Sequence, residues 1–266
     1  MSFLAWLADR TILCPSTHPI DAEGKVRHAI PATSSGDKQL EAWVANHDHG
    51  APNEKLRNLT IIKFPGTGGR AERARVHPAE CWENFNSEIW TINHLGYGGS
   101  DGPATIKSFP ESCEAVYQFL ADRYPDRPIF VTGNSLGCIS ALYLAARHPV
   151  AGLMLRNPPP LHQLISTRPR YTWWNFGMSR FVANEVPIEL DSIANAKSSS
   201  APCLFVQSAL DRVVPCNFQD KIIDSYAGPH RKLQIPNVDH HEPIGEDQYD
   251  AYVELLHWLE QQVLDS

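Results

Sequence analysis

From residue 59 onward, short continuous apolar runs alternate with stretches of helical periodicity. The runs "LTIIKFPGTGG", "EIWTINHLGYGGSDG", "PIFVTGN", "AGLMLRNPPP" and "APCLFVQSALD" are mostly apolar and close on glycine, proline or polar residues, and "HRKLQIPNVDH" reads as a further strand. That is the pattern of strands buried on both faces. Between them, "SFPESCEAVYQFLADRYPD", "SLGCISALYLAARHP", "FQDKIIDSYAG" and "EDQYDAYVELLHWLEQQVL" read as amphipathic helices. Ser108 is placed to cap the first, and Pro110 lies in its first turn. Upstream, "VRHAIPATS" and "QLEAWVANHD" carry β-formers on either side of "SSGDK" and predict a hairpin. The expectation is an α/β fold: a mostly parallel, doubly wound sheet of about eight strands, extended at one edge by an antiparallel N-terminal hairpin. No internal repeat or linker divides the sheet, so residues 1–266 are expected to form one domain.

One segment breaks the alternation. About forty residues, 161–200, separate two strands, far more than an ordinary connection. The segment contains the aromatic stretch "RPRYTWWNFGMSRF" and then "IELDSIANAKSSS". An insertion over the carboxyl ends of a parallel sheet lies where such folds bind ligands. It predicts a short cap that also holds a crossover helix, with Tyr171, Trp173, Trp174 and Phe176 shaping an apolar pocket or packing as a lid.

Composition narrows the function classes. The 266 residues carry a formal net charge of −7, with 42% hydrophobic and 20% charged residues. That balance argues against a nucleic-acid partner, which needs basic patches to replace phosphate counterions. No stretch approaches the roughly 20 apolar residues of a membrane span, and "MSFLAWLADR" lacks the basic start of a secretory signal. The N-terminal segment is expected to dock on the protein body. Six dispersed cysteines without a CxxC pair do not form a disulfide framework and point to a reducing, cytoplasmic setting. The adjacent His240 and His241 of "DHH" would face opposite sides of a strand and are poorly placed to share a metal.

The candidate chemistry centres on Gly133-Asn134-Ser135-Leu136-Gly137, between a strand and a helix. A nucleophile on a sharp strand-to-helix bend needs small residues two before and two after it, because side chains there clash across the turn. A helix opening behind Ser135 also offers the Leu136 N–H and a positive dipole end to a developing oxyanion. The hydroxyl needs a base and the base an orienting acid, following the serine in the order acid then histidine. Asp211 comes just after one buried strand, and His240 or His241 just after the next. Asp191, Asp224, Asp239 and Asp101 fit worse by position. The glycine loop Gly66-Thr67-Gly68-Gly69 supplies a second oxyanion donor, assigned to Thr67. The chain spells neither a Walker A loop, since Arg70 and Ala71 follow the glycines, nor G-x-G-x-x-G.

Together these residues resemble the α/β-hydrolase superfamily, and most closely its Bem46/ABHD13-like serine hydrolases, from about Leu59 to the C-terminus. "FPGTGG" looks like that group's oxyanion loop "HGN-x-G", "NHLGYGGSDG" like "D-Y-R-G-Y-G-x-S-x-G", and "GNSLG" like "G-x-S-x-G". "SALDRVVP" is similar to "G-x-x-D-x-x-V-P" and "VDHHEP" to "G-x-G-H-N-D". The last match puts the catalytic histidine at His240. The resemblance implies the α/β-hydrolase fold and ester or thioester hydrolysis of a small-molecule acyl substrate through Ser135, Asp211 and His240, without cofactor; from the sequence itself, neither a metal nor stable membrane insertion is expected. A catalytically silent binding fold, a haloperoxidase or a carbon–carbon hydrolase would use similar residues. Pro65, Asn134, His94 and Asp239 depart from the group's pattern around the pocket. Oligomeric state is not written in the chain.

Overall fold

The structure is a computed structural model that describes residues 6, 9–10, 12–32, 36–48, 56–167 and 178–265. Eight strands form one sheet in the order β1-β2-β4-β3-β5-β6-β7-β8. They are β1 (Val26–Pro31), β2 (Gln39–His47), β3 (Arg57–Phe64), β4 (Phe85–Asn93), β5 (Ile129–Asn134), β6 (Gly152–Arg156), β7 (Cys203–Ser208) and β8 (His230–Ile235). β1 pairs antiparallel with β2, and β2 antiparallel with β4; every later pairing is parallel.

The helices, in chain order, are α1 (Phe109–Arg123), α2 (Gly137–Ala145), α3 (Leu161–Thr167), α4 (Met178–Ala183), α5 (Ser192–Ser198), α6 (Cys216–Ile223) and α7 (Glu246–Leu264). Strand side chains alternate between two apolar layers, as a sheet covered on both faces requires. Ile62, Phe64, Val131, Leu155 and Phe205 join one layer with residues of α1, α2 and α6. Leu59, Ile61, Phe130, Met154 and Leu204 join the other with Trp82 and the buried stripe of α7: Tyr252, Leu256, Leu259 and Val263. Trp82 meets Phe130 edge-on at 4.9 Å between centroids and donates its indole N–H to the Leu256 carbonyl. That contact fixes α7 against β5.

Two local details depart from or sharpen the sequence reading. Ser108 precedes α1 but does not cap it through its side chain. The 3-10 turn Ile106–Ser108 sets Ser108 in right-handed helical backbone, and its hydroxyl donates backwards to the Thr105 carbonyl at 2.8 Å. Asp191, by contrast, caps α5 by accepting the amides of Ile193 and Ala194. Between β6 and β7 lie α3, α4, a 3-10 turn and α5, and α5 packs against α2 and α6.

The N-terminal segment docks on this frame. Asp9 accepts the Ile106 amide, the Tyr97 hydroxyl donates to the Leu13 carbonyl, and Gly68 N–H donates to that same carbonyl. Among the described residues, no helix is long and apolar enough to cross a membrane.

Candidate active site

β5 delivers the chain to Ser135, whose φ of +50° lies in the left-handed region that a non-glycine residue enters at a cost of about 1 kcal/mol. The bend survives because its surroundings hold it. Ser135 N–H donates to the Arg156 carbonyl at the end of β6 at 2.8 Å. The Cys138 thiol donates to the carbonyls of Gly133 and Arg156. The two flanking glycines are a steric requirement. A Cβ on Gly137 would sit 2.1 Å from the Phe64 carbonyl oxygen, and one on Gly133 would sit 2.6 Å from the Cys138 nitrogen.

Asp211 and His240 reach Ser135 from the loops after β7 and β8. The loops are stitched together: Ala209 N–H donates to Ile235 O and Leu210 N–H to Val238 O, each at 2.9 Å. Asp239 accepts the amides of both Arg212 and His240, and these bonds hold its carboxyl below the usual range. His240 Nε2 lies 2.9 Å from Ser135 Oγ, and His240 Nδ1 lies 2.6 Å from Asp211 Oδ2. Both side chains are almost fully buried. Asp211 Oδ1 accepts the amides of Val213 and Val214, and Oδ2 also accepts from Gln219. An ionised carboxylate only accepts hydrogen bonds, so Nδ1 carries the proton and Nε2 faces the hydroxyl with its lone pair.

Asn157, at the end of β6, was not picked out by the sequence patterns. It is fully buried at φ +52°, accepts Ser208 N–H at 2.8 Å, and donates to Ser208 Oγ and to the His240 carbonyl. It therefore ties the ends of β6 and β7 to the histidine loop. Its sequence signal was faint: a polar residue at the carboxyl end of a buried strand, just before "PPP". His241 packs edge-on against His240 at 4.8 Å and is exposed, with no contact to Ser135 or Asp211.

A cavity of about 470 Å³ opens over Ser135 and His240. Ile12, Leu161, Leu164, Ile165, Val213 and Val214 line its apolar side, and Thr67 and Leu136 border it. Among the described residues, neither the Thr67 nor the Leu136 amide donates to a protein acceptor. Among the described residues, no Lys, Arg, Asp or Glu lines this cavity. Tyr171, Trp173, Trp174 and Phe176, the expected aromatic lining, lie outside the described residues. Ile12 and Cys14 enter the site from the docked N-terminal segment, a contact that no local pattern announces. A larger hollow of about 950 Å³ lies around Arg57 and Tyr124 at the amino end of β3 and holds none of these groups.

The glycine loop is anchored by a buried polar cluster. Arg70 pairs with Glu72 and donates to the carbonyls of Ser16 and His18; Asn93 donates to both Glu72 and Glu41. His94 is stacked between Phe64 and Phe109, with its Nε2 3.0 Å from Ser140 Oγ. Burial pulls its pKa down to about 3, which keeps it neutral and separate from the Ser135 group. Among the described residues, one trio has metal-ligand types within 4.8 Å of one another: His77, Glu80 and Cys81. Both ring nitrogens of His77 are already engaged, by Glu80 and by the Tyr252 hydroxyl.

Known proteins share this fold. The family model described as the alpha/beta hydrolase fold matches residues 84–188. An uncharacterized protein of Mycobacterium tuberculosis is 25% identical over 88% of this chain and 80% of its own length. The lysophosphatidylserine lipase ABHD12 of Danio rerio is 24% identical over 75% of this chain and 54% of its own length. The esterase Pf2001 of Pyrococcus furiosus superposes with a TM-score of 0.66 at 15% identity, covering 94% of this chain and 98% of that one. With an eight-stranded sheet of this order, a strained serine at the end of β5, and these likenesses, the chain has the α/β-hydrolase fold.

Proposed function

We propose that the protein is a serine hydrolase that cleaves an ester or thioester through an acyl-enzyme on Ser135. The observation that carries this reading is the relay Ser135 Oγ–His240 Nε2–Asp211 Oδ2, with contacts of 2.9 and 2.6 Å between three buried side chains. Ser135 Oγ attacks the acyl carbon while His240 Nε2 takes its proton. Asp211 holds the ring in the right tautomer and stabilises the imidazolium. The Thr67 and Leu136 amides donate to the oxyanion. On collapse the bond to the leaving group breaks, and His240 returns the proton to the departing oxygen or sulfur. Water, deprotonated by the same nitrogen, then releases the acid and restores Ser135.

The apolar side of the 470 Å³ cavity suits an acyl chain. Two similar proteins, a lysophosphatidylserine lipase and an esterase, support the same class of reaction. Within the superfamily, the loop motifs support placement in the Bem46/ABHD13-like group.

The test is turnover of a p-nitrophenyl ester. Ser135→Ala and His240→Ala are expected to lose activity by up to about a millionfold, the loss seen when a triad member acting as a unit is removed. His241→Ala is expected to retain it. Near wild-type turnover by Ser135→Ala refutes the reading, and loss in His241→Ala with retention in His240→Ala moves the base by one residue.

A further inference from the structure

His77, Glu80 and Cys81 stand together on the segment between β3 and β4, away from the Ser135 cavity. They bring an imidazole nitrogen, a carboxylate and a thiol, three ligand types that zinc accepts. His77 Nδ1 lies 3.1 Å from Glu80 Oε1 and 4.0 Å from Cys81 Sγ, and the three ligand atoms all fall within 4.8 Å of one another. Zinc bonds of about 2.0–2.3 Å in a tetrahedral array place such atoms roughly 3.3–3.6 Å apart. The Glu80 side chain is 39% exposed, so a small rotation brings its oxygen into that array.

The backbone beneath the trio is fixed. Cys81 N–H donates to the Pro78 carbonyl and Trp82 N–H to the Ala79 carbonyl, closing the 3-10 turn Ala79–Cys81. Lys63 Nζ donates to the His77 carbonyl at 2.7 Å, and Glu260 of α7 accepts the amides of Glu83 and Asn84. The His77 ring is held from its far side. Its Nε2 meets the hydroxyl of the buried Tyr252, and that hydroxyl donates to Met154 Sδ at 3.4 Å. A hydroxyl has one proton, so with that proton on the sulfur its oxygen accepts from Nε2–H. Nδ1 then turns its lone pair toward Glu80 and Cys81. Two acceptors 3.1 Å apart repel each other unless a proton or a metal ion lies between them. A histidine whose far N–H is held by an outer partner is the arrangement that metal sites use to fix the ring and its tautomer. The carboxylate and a thiolate together neutralise a divalent ion, so the loaded site adds no net charge beside Lys63.

We infer that His77 Nδ1, the Glu80 carboxylate and the Cys81 thiolate bind one zinc ion, with the fourth position left to water. The thiol proton passes to solvent as the Zn–S bond forms. The site is independent of the serine-hydrolase reading, and it ties the turn before β4 to α7 through Tyr252.

The test is a metal titration of the full-length protein after treatment with a chelator. Cobalt(II) is expected to bind at one equivalent and to give a thiolate-to-cobalt charge-transfer band with the visible bands of a tetrahedral ion; zinc(II) is expected to bleach both. Cys81→Ser should abolish the charge-transfer band. Glu80→Gln and His77→Gln should each weaken zinc by about a hundredfold or more, and Tyr252→Phe, which only releases the ring, by about tenfold. Cys14 is an exposed thiol elsewhere, so Cys14→Ser should leave the bands in place. Zinc should raise the Tm of the wild-type protein and not that of Cys81→Ser. Wild-type protein without a charge-transfer band, or a band that survives in Cys81→Ser, overturns the site. So does zinc affinity indifferent to Glu80→Gln, a change at an exposed side chain whose fold circular dichroism should find intact.

Discussion

Asn157 ties the ends of β6 and β7 to the loop that carries His240, so replacing it with alanine should loosen the whole site. The expected cost can be built from its contacts. The Ser208 amide loses its acceptor at 2.8 Å and the Ser208 hydroxyl loses its donor at 3.1 Å, both in a buried setting. Each unsatisfied buried group costs about 1–3 kcal/mol. Asn157 also sits at φ +52°, where asparagine is tolerated and alanine is disfavoured by about 1 kcal/mol. The 3.3 Å contact to the His240 carbonyl adds little. The sum is about 3–7 kcal/mol. A urea titration followed by circular dichroism should read this as a midpoint lowered by roughly 1–2 M at unchanged slope, given a slope near 3 kcal/mol/M for a chain of this size. A double-mutant cycle with Ser208→Ala should return a coupling of about 1 kcal/mol for the side-chain pair. Ester hydrolysis should fall mainly in kcat, because the histidine is displaced while the apolar cavity is intact. A loss below about 1 kcal/mol, or no coupling to Ser208, refutes the view that Asn157 holds the site together.

Three further outcomes follow from single features. Gly137→Ala forces a Cβ to within 2.1 Å of the Phe64 carbonyl, so it should cost about 1–3 kcal/mol in thermal unfolding and displace the bend, reducing ester turnover. His94 has a folded pKa of about 3 against an ordinary 6.5, so its neutral form favours the fold above pH 6.5 and that stabilisation is lost as pH falls toward 3. The loss should approach about 1.4 kcal/mol per pH unit, and stability measured from pH 7 to 4 should show a shallower acid slope in His94→Gln than in wild type. Arg70→Met strands the buried Glu72 carboxylate and should cost about 3–5 kcal/mol, seen as a large drop in Tm, with Arg70→Met/Glu72→Leu recovering part of it.

The legible parts of the molecule were those set by short-range physics. Buried parallel strands announce themselves as continuous apolar runs, and β3 to β7 appear where such runs lie, while β1 and β2 appear in the expected hairpin. The Gly133–Gly137 bend was readable because its steric demands fall on five consecutive residues. Asp211 was readable because it follows the carboxyl end of the buried β7, and His240 because it follows the next strand, although β8 proves to be a mostly exposed edge strand. What escaped was assembled from distant segments. Asn157 acts through Ser208 and His240, fifty-one and eighty-three positions away. Ile12 reaches the cavity only because the N-terminal segment docks through Asp9 and Leu13. The ring of His77 is oriented by Tyr252, 175 positions away. Ser108 was misread as a side-chain cap because the 3-10 turn ahead of it is invisible to helical periodicity.

The central claim is that Ser135 is an activated nucleophile. A fluorophosphonate probe reports this directly, since it phosphonylates a serine whose proton is taken by a neighbouring base and leaves ordinary hydroxyls untouched. Intact-mass and peptide mapping of the wild-type protein should find one adduct, on Ser135, absent from the Ser135→Ala and strongly slowed in the His240→Ala protein. A folded wild-type protein that acquires no adduct at Ser135, or one labelled elsewhere while ester turnover continues, contradicts the account.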